Sequence, residues 1–311
     1  MPVPFVHKPN VLVVMATGKM GLSACAAFVA AGHAVFGTSR DGDHIGLTGL
    51  GATPIGPFQL GDKASMLHAL KVSQAGIVFL NTLPIDANEV AQGAAMLAAC
   101  KESNVGHVIY CSVSHCDICP ADVTILSAKF EIEKLAAKEN LRALTILRPV
   151  SYFENVHDAA SQNPLKKGYL KNLHDPKKRL PWVSTVDVAR AAVAVASDDT
   201  RWNGKTIECS AWNGSSMELS DALSVASGVP VTYSVALPRF VLYWMMYPLY
   251  KFVVYLNDSD DDVDVKYRYP STFTELVPNP MGPAEFFTRL GKWSDGELFA
   301  PKAVVWEGHG H

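Results

Sequence analysis

The sequence predicts an α/β protein built on an open, doubly wound parallel sheet, and three observations carry that prediction. Short apolar runs that read as buried strands alternate with helical patterns six times over the first half of the chain. The first run, Val11-Leu12-Val13-Val14, passes through Met15-Ala16-Thr17-Gly18-Lys19-Met20-Gly21 directly into the helical pattern of residues 22–31. Strand tips carry small or polar residues at Thr17, Ser39, Asn81 and Ser112, where an open parallel sheet has its ligand crevice.

Each element has a local reason. Gly32-His33 ends the first helix, and residues 34–38 form a second strand. Residues 52–59 can form a third strand, and Asp62 caps a helix running to Leu70. Residues 76–80 are a short buried strand ending at Asn81-Thr82, followed by a helix at 89–103 and a fifth strand at 107–110. A helix at 128–139 and a sixth strand at 144–147, closed by Arg148-Pro149, complete the repeat. In the second half, residues 186–197 and 217–227 read as helices. The Lys-containing stretch 156–179 reads as a mobile excursion over the crevice, a lid or a solvated basic loop. Residues 240–256 are a helical, aromatic-rich wall that lines an apolar pocket, forms a dimer face, touches a membrane surface or packs in a core. The acidic run 257–264 reads as a solvated loop. The tail after Pro270 is expected to wrap the second half, its last few residues disordered.

Bulk properties point to a soluble chain that folds unaided. It has 311 residues, 49% hydrophobic and 18% charged, with a net charge of −3. Lys and Arg are scattered, which excludes the basic stripe of a nucleic-acid binder. The N-terminus lacks the pattern of a signal peptide, and Pro248 and Lys251 break the most apolar region below transmembrane length. A reducing, cytoplasmic location is the expectation. Six cysteines do not make a disulfide framework in a chain this long. Cys116-Asp117-Ile118-Cys119 lacks a second CxxC or HxxxH, so no metal site is expected there.

A strand turning through glycines into a helix N-terminus aims backbone N–H groups and the helix dipole at one spot, which suits a dinucleotide pyrophosphate. Gly18 and Gly21 hold the required spacing, while Met15 stands where the fingerprint has its first glycine. The second strand ends in Ser39-Arg40 with no acid before Asp41, a pairing that suits a ribose 2′-phosphate and favours NADP(H) over NAD.

The runs Ser127-Ala128-Lys129-Phe130-Glu131-Ile132-Glu133, Leu144-Thr145-Ile146-Leu147-Arg148-Pro149 and Phe153-Glu154-Asn155, with the Ala16 to Gly21 loop, resemble the NmrA-like branch of the atypical short-chain dehydrogenases/reductases. Leu60-Gly61-Asp62, the 181–189 segment and the 204–208 stretch extend the resemblance over about residues 10 to 236. It implies a Rossmann-like domain at 1–157, with later returns to the sheet around 180–212, and a smaller, variable C-terminal α/β substrate region at 158–311. It also implies cofactor contacts from Thr17, Gly18, Lys19, Met20 and Gly21 at the pyrophosphate and from Ser39 and Arg40 at the 2′-phosphate. Asp62 would lie near adenine, Asn81 and Thr82 along the ribose, and Lys129 near the nicotinamide ribose. Orthodox short-chain reductases carry a Tyr four residues before this Lys, and here that position is Ile125. The catalytic candidates are therefore Lys129, Ser112, His115 and Tyr152.

The expected function is NADPH-dependent reduction of an apolar or aromatic carbonyl, enone or related conjugated small molecule. The resemblance equally implies a regulator that senses NADP(H) without turnover, and a non-redox member catalysing isomerisation or cyclisation is a third reading. A homodimer is among the expected arrangements. Calorimetric titration tests the cofactor assignment: Arg40→Ala should weaken NADPH binding by roughly 10–100-fold while leaving NADH binding unchanged.

Overall fold

In the computed structural model, which describes residues 8–42, 44–84, 86–155, 164–259 and 271–289, seven parallel strands form the central sheet. They are β1 (Val11–Val13), β2 (Val35–Thr38), β3 (Thr53–Ile55), β4 (Ile77–Leu80), β5 (His107–Cys111), β6 (Leu144–Pro149) and, much later in the chain, β10 (Lys205–Cys209). Their order, β10-β6-β5-β4-β1-β2-β3, winds outward in both directions from β1, so the crevice opens between the tips of β1 and β4.

The strands are near-continuous apolar runs because both faces of the sheet are covered. Side chains alternate between two cores. Val11, Val13, Ile77, Phe79, Ile109 and Cys111 face one of them, with α1 (Lys19–Ala30) and α7 (Thr185–Ser197). Leu12, Val14, Val78, Leu80, Val108 and Tyr110 face the other, with α3 (Lys63–Ser73), α4 (Glu89–Glu102) and α5 (Thr124–Lys138). A short α2 (Ile45–Gly49) links β2 to β3. Helix α5 begins a turn earlier than the sequence pattern indicated, which places Ile125 and Lys129 on one helical face.

The second half builds its own apolar centre. Strands β7 (Ser151–Tyr152), β9 (Arg179–Val183) and β11 (Trp212–Ser215) form a three-stranded sheet, and β8 (Tyr169–Asn172) pairs in parallel with β12 (Thr232–Val235). Residues 179–183 thus lie outside the central sheet, and 205–209 return to it. Helices α6 (Pro164–Lys167), α8 (Asp199–Trp202) and α9 (Ser216–Ser227) connect these strands. Ser215 and Glu218 form a reciprocal capping box on α9, and Gly228 ends it in the left-handed conformation. Phe153, Trp182, Leu219, Leu223, Phe286 and Phe287 fill the centre.

Three sequence expectations change here. The excursion expected at 156–179 contains strand β8, whose Leu170 is buried and whose partner lies about 60 residues later; a pairing so remote leaves no local signal. Residues 156–163 lie outside the described residues. The aromatic region is two helices, α10 (Arg239–Met245) and α11 (Tyr247–Asp258), divided at Met246. Phe240, Trp244 and Met245 are exposed, whereas Val253 is buried. Most of the acidic run and the final residues lie outside the described residues. Of the tail, α12 (Ser271–Leu276) buries Phe273 in the first core, and α13 (Pro283–Arg289) buries Phe286 and Phe287 in the third. Among the described residues, no helix is long and apolar enough to cross a membrane.

One buried histidine ties sheet stability to pH. His107 Nε2 lies 2.8 Å from Thr145 Oγ1, whose own hydrogen goes to the Trp202 carbonyl. Nε2 is therefore the donor, and the buried Nδ1 has no partner. Burial lowers the His107 pKa from 6.5 to about 4, with Asp199 partly opposing. The unfolded chain takes up the proton first, so the contribution is whole above pH 6.5 and is lost as pH falls towards 4. Urea unfolding at pH 7 and pH 5 should show His107→Gln losing on the order of 2 kcal/mol less than the native protein over that interval.

Candidate functional site

The turn between β1 and α1 is shaped by close approach. A Cβ on Gly21 would stand 2.3 Å from the Met15 carbonyl oxygen and 2.6 Å from Ala16 Cα, so only glycine lets α1 pack this tightly on the strand end. A Cβ on Gly18 would meet only that same oxygen, at 3.5 Å, an ordinary van der Waals contact. No side chain caps α1, whereas Asp62, Ser184 and Ser215 cap α3, α7 and α9. Met15 adopts a left-handed φ of 56°. It reproduces the conformation a glycine would take, at a cost of about 1–2 kcal/mol. Its side chain packs against the core that α3 and α4 cover.

A cavity of about 270 Å³ lies in front of this turn. It gathers Gly18, Lys19, Met20, Gly21, Asn81, Thr82, Ser112, Lys129 and Tyr152 from the tips of four separate strands and from α5. Ile125 lines it too, one turn before Lys129. Thr17, Ser39, Arg40 and Asp62 lie outside its lining. Both carboxylate oxygens of Asp62 accept from the first turn of α3, Ala64 N at 3.0 Å and Ser65 N at 3.2 Å, so its observed task is capping. Arg40 is exposed at the tip of β2, without an ion pair among the described residues. A glycine-lined opening, an uncapped helix start and a solvent-facing guanidinium beyond the second strand fit a phosphorylated dinucleotide.

Lys129 is held more tightly than its sequence context suggested. Its Nζ donates to Thr82 Oγ1 at 2.6 Å and to the Thr82 carbonyl at 3.2 Å, and it pairs with Glu89 Oε1 at 2.8 Å. Thr82 Oγ1 in turn donates to the same Glu89 oxygen. All three ammonium hydrogens thus have acceptors, and both charges are almost wholly buried. The Lys129 ammonium is held at the crevice wall by Thr82 and Glu89.

A second cavity, about 380 Å³, adjoins the first and shares Val113, Val150 and Tyr152 with it. Of the catalytic candidates, Tyr152 lines both cavities, Ser112 and Lys129 the smaller and His115 the larger. The Tyr152 hydroxyl lies 3.6 Å from Cys111 Sγ, and burial holds the phenol pKa well above its usual value, so it remains protonated. Ser112 Oγ is 3.8 Å from Cys116 Sγ, and the Cys116 thiol donates to Glu133 at 3.3 Å. Burial raises both CxxC thiols, that of Cys119 to about 11, which suits structural hydrogen bonding better than nucleophilic chemistry.

Sequence reasoning missed Glu89, which reads as an ordinary acid in a helix's first turn. It also missed Lys171 and His174 in the larger cavity. The Phe153-Glu154-Asn155 run has a structural reason. Glu154 Oε1 accepts from Ser184 Oγ, Thr185 N and Thr185 Oγ1, and its carbonyl accepts from Lys19 Nζ at 2.8 Å.

The sequence pattern of the NmrA-like family matches residues 7–287. The chain belongs to the NmrA-like family. No curated protein sequence matches it. Among solved structures, NmrA, a negative transcriptional regulator in complex with NADP, superposes with a TM-score of 0.74 at 21% identity, covering 91% of this chain and 95% of that one. The NADPH-dependent quinone oxidoreductase QOR2 of Escherichia coli gives 0.66 at 22% identity, covering 90% and 99%. Triphenylmethane reductase of Citrobacter sp. gives 0.68 at 16% identity, covering 90% and 98%. At these identities the likeness is one of fold.

Comparing a single with a double variant of the buried pair measures how the fold holds Lys129. Lys129→Ala alone leaves Glu89 buried without its counter-charge and should cost about 3–5 kcal/mol in urea unfolding, whereas Lys129→Met with Glu89→Gln should recover at least half of that loss.

Proposed function

We propose that this NmrA-like protein is an NADPH-dependent reductase of an apolar, conjugated small molecule such as an aromatic carbonyl or enone. The observation that carries the reading is the junction of the two cavities, where the glycine-lined crevice opens past Tyr152 into a space walled by Leu180, Trp182, Phe252, Val253 and Leu256. NADPH, when bound in the crevice, supplies a hydride.

The chain's own residues would do the rest. Gly18 and the first turn of α1 receive the pyrophosphate, and Arg40 with Ser39 the 2′-phosphate. Lys129, held by Glu89 and Thr82, would stand beside the nicotinamide ribose. Tyr152 sits where a substrate oxygen and the crevice meet. Its protonated phenol donates a hydrogen bond to that oxygen as negative charge develops, with Ser112 and His115 as the neighbouring polar groups. On this reading residues 1–157 hold the cofactor and residues 158–311 supply most of the substrate wall, in a cytoplasmic enzyme.

One observation favours the sensor alternative. Ile125 fills the place of the usual tyrosine acid and puts an apolar side chain on the crevice wall. The two readings part on turnover. A reductase consumes NADPH in the presence of a quinone, enone or aromatic ketone, and Tyr152→Phe should lower kcat by roughly 100-fold with little change in NADPH affinity. Tight NADPH binding with no consumption across those three substrate classes would instead support the sensor.

A further inference from the structure

The larger cavity has an unusual charge pattern. Among the described residues lining it there is one lysine, Lys171, and no aspartate or glutamate. Several other cations of this half have carboxylate partners: Arg179 pairs with Glu218, Arg239 with Asp175 and Asp258, and Lys251 with Asp122. Lys171 has none among the described residues; its ammonium lies 5.2 Å from the centre of the Tyr169 ring. Three positions further along the same wall, His174 is 6% exposed and its Nδ1 has no hydrogen-bond partner. The ring stands edge-on to Trp182, with centroids 6.4 Å apart at 82°. Burial lowers the His174 pKa to about 4, so the imidazole is neutral at physiological pH.

We propose that this cavity selects an aromatic or otherwise apolar carboxylic acid that also bears the ketone or enone, its ring system against Trp182, Leu180, Phe252 and Leu256 and its carboxylate on Lys171. The proposal names the substrate class for the reductase reading and rests on it in taking this cavity as the substrate site. Its physical basis is desolvation. A neutral apolar ligand would strip water from an ammonium that has no carboxylate partner among the described residues. A carboxylate meets the ammonium, and the charge-assisted contact supplies the discrimination. A cavity of about 380 Å³ accommodates a two-ring acid.

The test is calorimetric titration of the full chain, with and without saturating NADPH, using 2-naphthoate and methyl 2-naphthoate as a matched pair. The acid should bind about tenfold or more tightly than the ester. Lys171→Gln should abolish that preference and Lys171→Arg should keep it, each with an unchanged thermal unfolding midpoint, since the side chain is half-exposed. Equal or weaker binding of the acid, a preference that survives Lys171→Gln, or no binding of either probe would overturn the proposal. No turnover is read. Selective acid binding in a protein that never consumes NADPH would therefore sink the reductase reading and leave the acid site standing.

Discussion

The crevice side of the sheet hangs on one guanidinium. Arg148, at the tip of β6, makes a two-pronged contact with Glu133 of α5, Nε to Oε1 at 2.9 Å and Nη2 to Oε2 at 2.6 Å. Its Nη1 reaches Asp117 at 2.8 Å and Glu208 of β10 at 3.3 Å. Three acids around one cation would repel one another, and the surroundings lower that cost. Burial pushes the Glu208 carboxyl upward, Ser114 donates to Glu208 at 2.7 Å, and the Cys116 thiol donates to Glu133. The loop carrying Ser112, Ser114 and His115 is thereby fastened to β6, to β10 beyond it and to α5. It holds even His115 at a left-handed φ of 65°.

Much of this was legible in the sequence. Strands buried on both faces have to be written as apolar runs, and a strand that meets a helix at near-contact distance has to have glycine at the crossing, so β1, β4, β5 and Gly21 could be read directly. Met15 shows why the fingerprint was incomplete although the turn is present: the backbone conformation is what the turn needs, and a methionine adopts it at modest cost. Lys129, Ser112 and Tyr152, three of the catalytic candidates, line one crevice.

What stayed hidden depends on pairings between distant parts of the chain. Nothing near Glu89 marks it as the counter-ion of a lysine 40 residues later, and nothing near residues 169–172 reveals a partner strand at 232–235. The aromatic region was ambiguous for a related reason. Its second helix contributes Phe252, Val253 and Leu256 to a cavity wall, while its first leaves Phe240 and Trp244 in solvent, and one composition serves both. Composition reports how much apolar surface a segment carries. Packing decides which side of it faces inward.

The late arrival of β10 and α7 has a consequence for the order in which the molecule can form. The sheet edge at β6 is completed by residues 205–209, and α1 buries its face against α7, where Ser23 Oγ meets Thr185 Oγ1 at 2.8 Å. The nucleotide-side core therefore closes across a loop of more than 150 residues, between α1 and α7, and loop-closure entropy must be met before those contacts return anything. A nascent chain that has emerged only as far as β6 presents an unpaired strand edge and an uncovered helix face. The segment best recognised from sequence is the one that must wait for the rest of the polypeptide.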